Sequence, residues 1–470
     1  LTTNTPHARG VAVLSFRNLG DEKNIYLAEA MTDELVQHLA KAPGLRVASR
    51  ASFRKGEVAG EDLRTLGKRL GVNAIVEGTI QARSDGSMHI AVRLVEVDRG
   101  FPLFSTQIER KAHEVFSVST ELAKDIARAL TIDLGGAPAR APAAPGVVDL
   151  FLRARREYAT QTLAGVSEAY RLLKGIPAGQ RDPLLASWMA LARLRWWGFA
   201  PELGPSAPKE AQLLAESLSL EDPTLGEAHL ALAVLHDLQG HTGAAIQAAT
   251  EAVRCNPTLG EANLLLGTLH VETGSIEEGI RRLKLALRLD PRNFLSLLEL
   301  ARTAELTGDH DGADAWLSLA DQRAPGHVQP ALLRVRIASW RGEKKGLAAA
   351  RAQALAASKK ALPTEADALH LFALDEGEIQ VGRLMVSAAI GGASARYRWT
   401  LMQLVAEERA LKKDFHGAVS AIRSAQGAGF VDILWLEKCA AFEKLRTDAA
   451  FEAVRHTIAQ RARTAFARPS

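Results

Sequence analysis

The sequence predicts an α+β N-terminal domain, a mixed sheet with helices, joined to an all-α solenoid of repeated helix pairs. Three observations carry this. Residues 1–134 alternate short β-rich runs with helical patterns. Residues 135–146 then read Gly-Gly-Ala-Pro-Ala-Arg-Ala-Pro-Ala-Ala-Pro-Gly, a composition that builds no core and favours an extended linker. Beyond it, from 147 to 440, every pattern is helical, and the last stretch, 441–470, reads as a capping helix and a tail. A chain of 470 residues exceeds what one compact core normally serves, so several domains or a repeat array are expected.

Element by element, residues 11–16 (Val-Ala-Val-Leu-Ser-Phe) form a short apolar run ending in a turn, which reads as a buried strand. Residues 24–41 carry Leu27, Met31, Leu35 and Leu39 at helical spacing and stop at Pro43-Gly44. Residues 45–49 read as a second strand, and 61–70 as a short helix closed by Gly71. Residues 74–81 and 89–97 are β-rich and joined around Ser84-Asp85-Gly86-Ser87, a hairpin pattern. Residues 101–109 alternate as a further strand, and 115–130 form the last helix. The order β-α-β-α-β-β-β-α implies one mixed sheet packed by helices.

In the helical part, Pro223, Pro257, Pro291 and Pro325 stand 34 residues apart. Gly240, Gly274 and Gly308 share one phase. Ala245, Gly279 and Ala313 share another, and Ala252, Ala286 and Ala320 a third. Small residues let the two helices of a pair approach, glycine releases the turn between them, and proline stops the second helix because it lacks the donor a helix interior needs. This period and these residues are the tetratricopeptide (TPR) signature. The flanks are less regular. Residues 148–174 resemble a divergent pair with Tyr158 and Tyr170 as packing aromatics. Residues 184–197 and 207–220 form another, and 397–425 a further one with Gly417-Ala418 at a crossing. Seven or eight pairs are expected, with the three ending at Pro257, Pro291 and Pro325 the most regular.

The N-terminal residues carry a second resemblance. Val-Ala-Val-Leu-Ser-Phe-Arg-Asn-Leu at 11–19 resembles the "IAVLPFxN" opening of the TolB amino-terminal-like family, related to FlgO. Glu-Ala-Met-Thr-Asp-Glu-Leu at 29–35 is similar to its "DGMTEEL" helix. Residues 45–53 with Lys55-Gly56 resemble "LRVxSRxSxFxxKG", residues 70–78 resemble "LGVxYVLEGS", and residues 116–126 the closing "FxLQDEIA" helix. The resemblance covers about residues 10–132. It departs at Ser15, where the family usually has Pro, and at Phe104, where it usually has Trp. It implies a regulatory or sensory role, because in that family the domain is commonly followed by TPRs. The pair is usually attached to a nucleotide cyclase, a Ser/Thr kinase or a winged-helix DNA-binding domain of a bacterial signalling protein. It supplies no catalytic residues.

Composition bounds the chemistry. Lys+Arg 58 against Asp+Glu 54 gives +4. Residues 1–134 hold 18 basic and 17 acidic side chains, and the chain from 147 holds 39 and 37. Neither has the dense basic face that phosphate neutralisation needs, which disfavours nucleic-acid binding. No apolar run of about 18 residues is present, so no membrane span is expected in this chain. A start at Leu1 suggests a fragment or a processed chain, and a cytoplasmic location is expected unless a span precedes it. Cys255 and Cys439, 184 residues apart, form no disulfide framework and no CxxC site, and read as small apolar residues on helices.

No catalytic constellation emerges. His229, His236 and His241 lie near one another, but HExxH, paired His-x3-His and a nearby Cys set are lacking, so helix-packing histidines are the expectation. Phosphate loops, kinase landmarks and a GxSxG elbow are missing from the sequence. Nothing calls for a metal or a cofactor. Asp21-Glu22 and Glu407-Glu408 read as solvated surface, Glu77-Gly78 as a solvated acid beside a close backbone approach, and Trp196, Trp197 and Phe199 as core.

The inner face of the repeat array is the best functional surface. Glu227, Leu230, Val234, Glu261, Leu264, Thr268, Leu298 and Arg302 are expected to line it. The Lys/Asn/Arg clamp of chaperone-tail-binding TPRs is not offered, so an apolar groove for a helix or extended segment is expected. Glutamate at Leu230 and Leu264 should then abolish partner capture with the melting temperature nearly unchanged. The rival expectation is that the array packs on itself or on its own N-terminal domain. The functional reading is a non-enzymatic signalling module that binds a protein or peptide partner, with homo-oligomerisation left open. Its rivals are a piece of a cyclase or kinase whose catalytic domain precedes Leu1, and the sensor half of a winged-helix regulator.

Overall fold

A computed structural model describes residues 9–40, 42, 45–48, 63–83, 85–97, 100–130, 144–199, 206–290, 293–342, 344–374 and 378–466. Residues 49–56, Ser84, Pro291 and nearly all of the 135–146 linker lie outside the described residues.

The N-terminal domain is built on a mixed sheet. Its strands are β1 (Arg9–Val13), β2 (Arg17–Asn18), β3 (Leu45–Ala48), β4 (Ala74–Ala82), β5 (Ser87–Glu96) and β6 (Pro102–Lys111). The strand order is β3-β1-β4-β5-β6, with β2 paired to β4. β1 lies parallel to β3 and β4, and β4, β5 and β6 form an antiparallel meander. Helices α1 (Ile25–Ala40), α2 (Leu63–Leu70) and α3 (Val115–Ala129) complete the domain. Side chains alternate across a strand, so β1 serves two cores. Ala12 joins Ile75, Val97 and Leu66 of α2 in one cluster, and Val11 and Val13 turn to the opposite face. Leu27, Met31, Leu35 and Leu39 of α1 are all buried, as their spacing predicts. The two-residue strand β2 is an addition: the stretch after Phe16 reads as a turn in sequence, yet Arg17 and Asn18 pair with Thr79 and Ile80.

Gly78 shows why one position demands glycine. A Cβ built there would lie 2.3 Å from Cε1 of Phe16, whose ring occupies that space. Glu77 meets Arg93 across the antiparallel pair on the exposed face, so the solvated-acid reading holds. Gly78→Ala should destabilise the domain by roughly 1–3 kcal/mol, as overpacking does. Phe16→Leu should recover part of that loss, and paired urea melts of the single and double variants test it.

Among the described residues, eight helix pairs follow. They are α4 (Pro145–Tyr158) with α5 (Leu163–Lys174), α6 (Pro183–Phe199) with α7 (Ser206–Glu221), α8 (Gly226–Leu238) with α9 (Thr242–Cys255), and α10 (Gly260–Glu272) with α11 (Ile276–Leu289). Then come α12 (Phe294–Leu306) with α13 (His310–Arg323), α14 (Val328–Arg341) with α15 (Lys344–Ser358), α16 (Pro363–Ala373) with α17 (Glu378–Ala388), and α18 (Ala395–Leu411) with α19 (Phe415–Gly427). A short helix α20 (Ile433–Lys438), a 3-10 turn (Ala440–Leu445) and α21 (Ala449–Thr464) close the chain. This is an all-α solenoid of TPR type.

The chain divides into two compact units, residues 1–185 with 288–291, and residues 186–287 with 292–470. The first unit therefore includes α4 and α5. Tyr26 of α1 donates to Asp149 Oδ1 of α4 at 2.8 Å, and Arg155 of α4 reaches Glu34 of α1 at 3.0 Å. Tyr158 and Tyr170 are buried there. The first helix pair thus packs on the α+β domain that precedes it.

In the second unit the periodic residues do what their chemistry predicts. Gly240, Gly274 and Gly308 hold φ of +78°, +92° and +88°, the left-handed turn between the helices of a pair. Ala245 and Ala313 are fully buried at the crossings. At Gly279 a Cβ would meet Val271 Cγ2 at 2.5 Å. Ala252, Ala286 and Ala320 are fully buried as well. Pro223, Pro257 and Pro325 follow the ends of α7, α9 and α13.

Candidate protein-binding face

Glu227, Leu230 and Val234 lie on α8, Glu261, Leu264 and Thr268 on α10, and Leu298 and Arg302 on α12. These are the first helices of three successive pairs, and α10 packs between the other two. The sequence therefore places the eight residues on a common face. That face is not open to solvent. Leu230 and Val234 are 0% and 1% exposed, and Glu227, Leu264, Thr268, Leu298 and Arg302 are also buried. Glu261 is held at 2.7 Å by Arg195 of α6.

The chain itself covers this face. α18 packs on α8, and α20 packs on both α10 and α12. Aromatic rings knit the cover together: Trp399, Phe430, Trp435, Phe442 and Phe451 follow one another at centroid distances of 6.0, 5.5, 4.7 and 5.9 Å, the first three contacts edge-to-face. Trp435, Phe430, Phe442 and Phe451 are among the largest fully buried side chains of the protein. They share one continuous core with Leu264, Leu297 and Leu298. The expectation of an open apolar groove is corrected on this point: the surface is apolar, but residues 395–466 fill it. The expected 441–470 cap is likewise more than an end cap, since the 3-10 turn and α21 contribute Phe442 and Phe451 to this core.

Charged groups lock the closure. Arg396 of α18 grips Glu272 of α10 through two bonds of 2.8 and 2.6 Å and lies 3.5 Å from Asp237 of α8. Arg302 of α12 donates to Asp432 Oδ2 at 2.6 Å, while Asp432 Oδ1 accepts from the Trp435 amide and caps α20. Arg336 of α14 grips Glu407 of α18 at 3.0 and 2.6 Å, and the Trp435 indole donates to the same carboxylate at 2.6 Å. Glu407 and Glu408 are buried, which corrects the solvated reading of that acidic pair. Helix α18 is buried on more than one side, so an apolar/polar pattern alone misassigns them.

Carboxylates outnumber guanidiniums where Asp237, Glu272, Glu299 and Asp432 meet Arg302 and Arg396. Burial and the neighbouring Asp432 push the Glu272 carboxyl up to about 7, against the pull of Arg396. Burial alone would lower the Arg302 and Arg396 guanidiniums, but the surrounding acids raise both above their ordinary range. A carboxyl raised in the folded state binds more protons there than when unfolded. Its stabilising contribution is therefore complete below about pH 4.5 and is lost as pH rises through about 7. Relative to Glu272→Gln, the wild type should lose melting temperature across that window, while His236 and His270, lowered by burial, contribute the opposite slope equally to both proteins; a difference between the two melts that does not change with pH would show that Glu272 stays ionised throughout.

Trp197 is buried and its indole donates to the Gly392 carbonyl at 2.7 Å; Trp196 carries Arg193 over its ring at 5.1 Å. His236 and His270 are half-buried, and burial lowers the pKa of both. His270 stacks on Phe466 at 4.6 Å, and His236 lies 6.1 Å from the His241 ring. Cys439 is buried within the large core. His229, Glu251 and Cys255 form the one cluster among the described residues with metal-ligand chemistry, their donor atoms all within 4.8 Å of one another. Among the described residues, no helix is long and apolar enough to cross a membrane.

The fold thus defines the class, an α+β domain joined to a TPR-type solenoid. No family model matches the chain. A protein of Rhizobium meliloti (strain 1021) named "Putative adenylate cyclase 3" is 27% identical over 174 residues, 36% of this chain. The match spans 30% of that protein's length. Among solved structures, a human IFIT1 dimer with PPP-AAAA is 16% identical with a TM-score of 0.40, covering 74% of this chain and 84% of that one. Yeast Tom70 is 13% identical with a TM-score of 0.35, covering 65% and 66%. A tetratricopeptide repeat protein from Parabacteroides merdae is 12% identical with a TM-score of 0.30, covering 67% and 99%.

Proposed function

We propose that this chain is a non-catalytic regulatory or sensory module of a bacterial signalling protein, acting through protein–protein contact. The observation that carries the reading is the organisation itself: an α+β domain with TolB-like motifs followed by a helix-pair array. The likeness to a bacterial protein named as an adenylate cyclase supports a nucleotide cyclase as the output that the module serves. The inner face of the array is spent on its own closure, so a partner meets the outward faces of the helix pairs.

Incubation of the purified chain with ATP or GTP and Mn2+ should yield no cyclic nucleotide. Product formed by this chain alone overturns the non-catalytic reading. Fused to a nucleotide-cyclase catalytic domain, the chain should change that domain's turnover, and substitutions on the outward faces that leave the melting temperature unchanged should reduce the effect. A fusion whose turnover ignores the chain removes the regulatory reading.

A further inference from the structure

The turn before α8 and the end of α9 bring four different donor atoms together. Glu251 and Cys255 are four residues apart on α9, so they project from one side of that helix. His229 stands near the start of the antiparallel α8, opposite the end of α9. The three ligand atoms lie within 4.8 Å of one another. The Pro223 carbonyl oxygen sits 2.9 Å from His229 Nε2 and 3.5 Å from Cys255 Sγ. Bonds of about 2.0–2.3 Å to a tetrahedral ion place neighbouring donors roughly 3.3–3.8 Å apart. The two distances to the Pro223 carbonyl lie close to that range and the other donors stay under 4.8 Å, so small side-chain adjustments would close the set around an ion.

We propose that His229, Glu251 and Cys255 bind a zinc ion, with the Pro223 carbonyl as the nearest candidate for a fourth ligand. The donor set selects the metal. One imidazole nitrogen, one thiolate and one carboxylate suit a borderline-soft ion such as Zn2+, whereas Mg2+ and Ca2+ take all-oxygen shells. In the metal-free arrangement, hydrogen bonds tie the imidazole and the thiol to the Pro223 carbonyl. On binding, the ion takes the place of both. The Cys255 thiol gives up its proton to solvent, neutral His229 carries its remaining proton on Nδ1, and Glu251 is already a carboxylate. Arg254 bonds Glu251 through Oε1 and also reaches Cys255 Sγ at 3.5 Å, so the guanidinium must release the sulfur on binding while the second Glu251 oxygen takes no bond from it. The site staples the last turn of α9 to the entry of α8 and to the Pro223 turn that ends the preceding pair. Its role is structural, a clamp at the first regular repeat.

Cobalt reports on the site directly. The untagged full chain, titrated with Co2+ under reducing conditions, should develop the thiolate-to-cobalt charge-transfer band and the visible bands of tetrahedral cobalt, saturating at one equivalent. Zn2+ should bleach them, and Zn2+ alone should raise the melting temperature. Cys255→Ser lies at a partly exposed helix end, so the metal-free variant should melt like the wild type while losing both the bands and the zinc shift. His229→Ala and Glu251→Gln should each weaken cobalt binding by at least roughly tenfold, the loss that removal of a supporting group alone produces. Bands that survive Cys255→Ser, or a wild-type chain that shows none, overturn the proposal.

Discussion

Glutamate at Leu230 and Leu264 should unfold the repeat array instead of silencing a binding surface. Leu230 has no exposed surface, and Leu264 belongs to the core that also holds Trp435 and Phe442. A carboxylate placed there loses its hydration and gains no partner, a cost of several kcal/mol per site. Truncating a buried leucine already costs about 2–5 kcal/mol. Against a domain stability of about 5–15 kcal/mol, two such changes leave little folded protein. Far-UV circular dichroism and size-exclusion chromatography of the double variant check this. A native-like melt would mean that α18 and α20 lift from α8 and α10 readily in solution.

A partner that entered by displacing residues 395–466 would have to bare the aromatic core beneath them. Exposing Phe430, Trp435, Phe442 and Phe451 costs about 1.5–3 kcal/mol each. One buried and two partly buried guanidinium–carboxylate contacts would open as well. Micromolar binding of a peptide supplies about 8 kcal/mol. The two figures are of the same size, so only a partner that binds the bared face more tightly than micromolar would displace the C-terminal helices.

Arg302→Ala should be among the most damaging changes to a single charged side chain. Its partner Asp432 is 3% exposed on its side chain, and Arg302 itself 9%. Removing the guanidinium leaves an uncompensated buried carboxylate, which costs about 3–5 kcal/mol. Asp432 also caps α20 through its other oxygen. The double variant Arg302→Met with Asp432→Asn removes both charges while keeping the cap, so it should be more stable than Arg302→Ala. Urea denaturation of the wild type, Arg302→Met, Asp432→Asn and the double variant closes a double-mutant cycle. A loss below about 1 kcal/mol for Arg302→Ala would place the pair in water, since that is the range of solvated pairs.

Much of the fold can be read from the residues alone because its rules are local. Period-2 and period-3.6 patterns place the strands and helices of the α+β domain within a few residues of where they stand. The glycines at 240, 274 and 308 mark turns that need positive φ, and the small residues at 245, 279 and 313 mark helix crossings. Gly78 is likewise readable as a close approach, although only the structure shows that Phe16 fills the space. The metal-ligand cluster escapes a spacing search because His229 lies 22 residues from Glu251 and joins it only through the antiparallel return of α9.

What closes the array lies beyond any local rule. Arg302 meets Asp432 across 130 residues, Arg396 meets Glu272 across 124, and Arg336 meets Glu407 across 71. No period links these positions, and each acid taken alone looks like solvated surface. Helix spacing tells which residues share the inner face; it cannot tell what covers that face. That depends on how far the successive pairs turn, and the turn is summed over many small packing angles before α18 and α20 arrive opposite α8, α10 and α12.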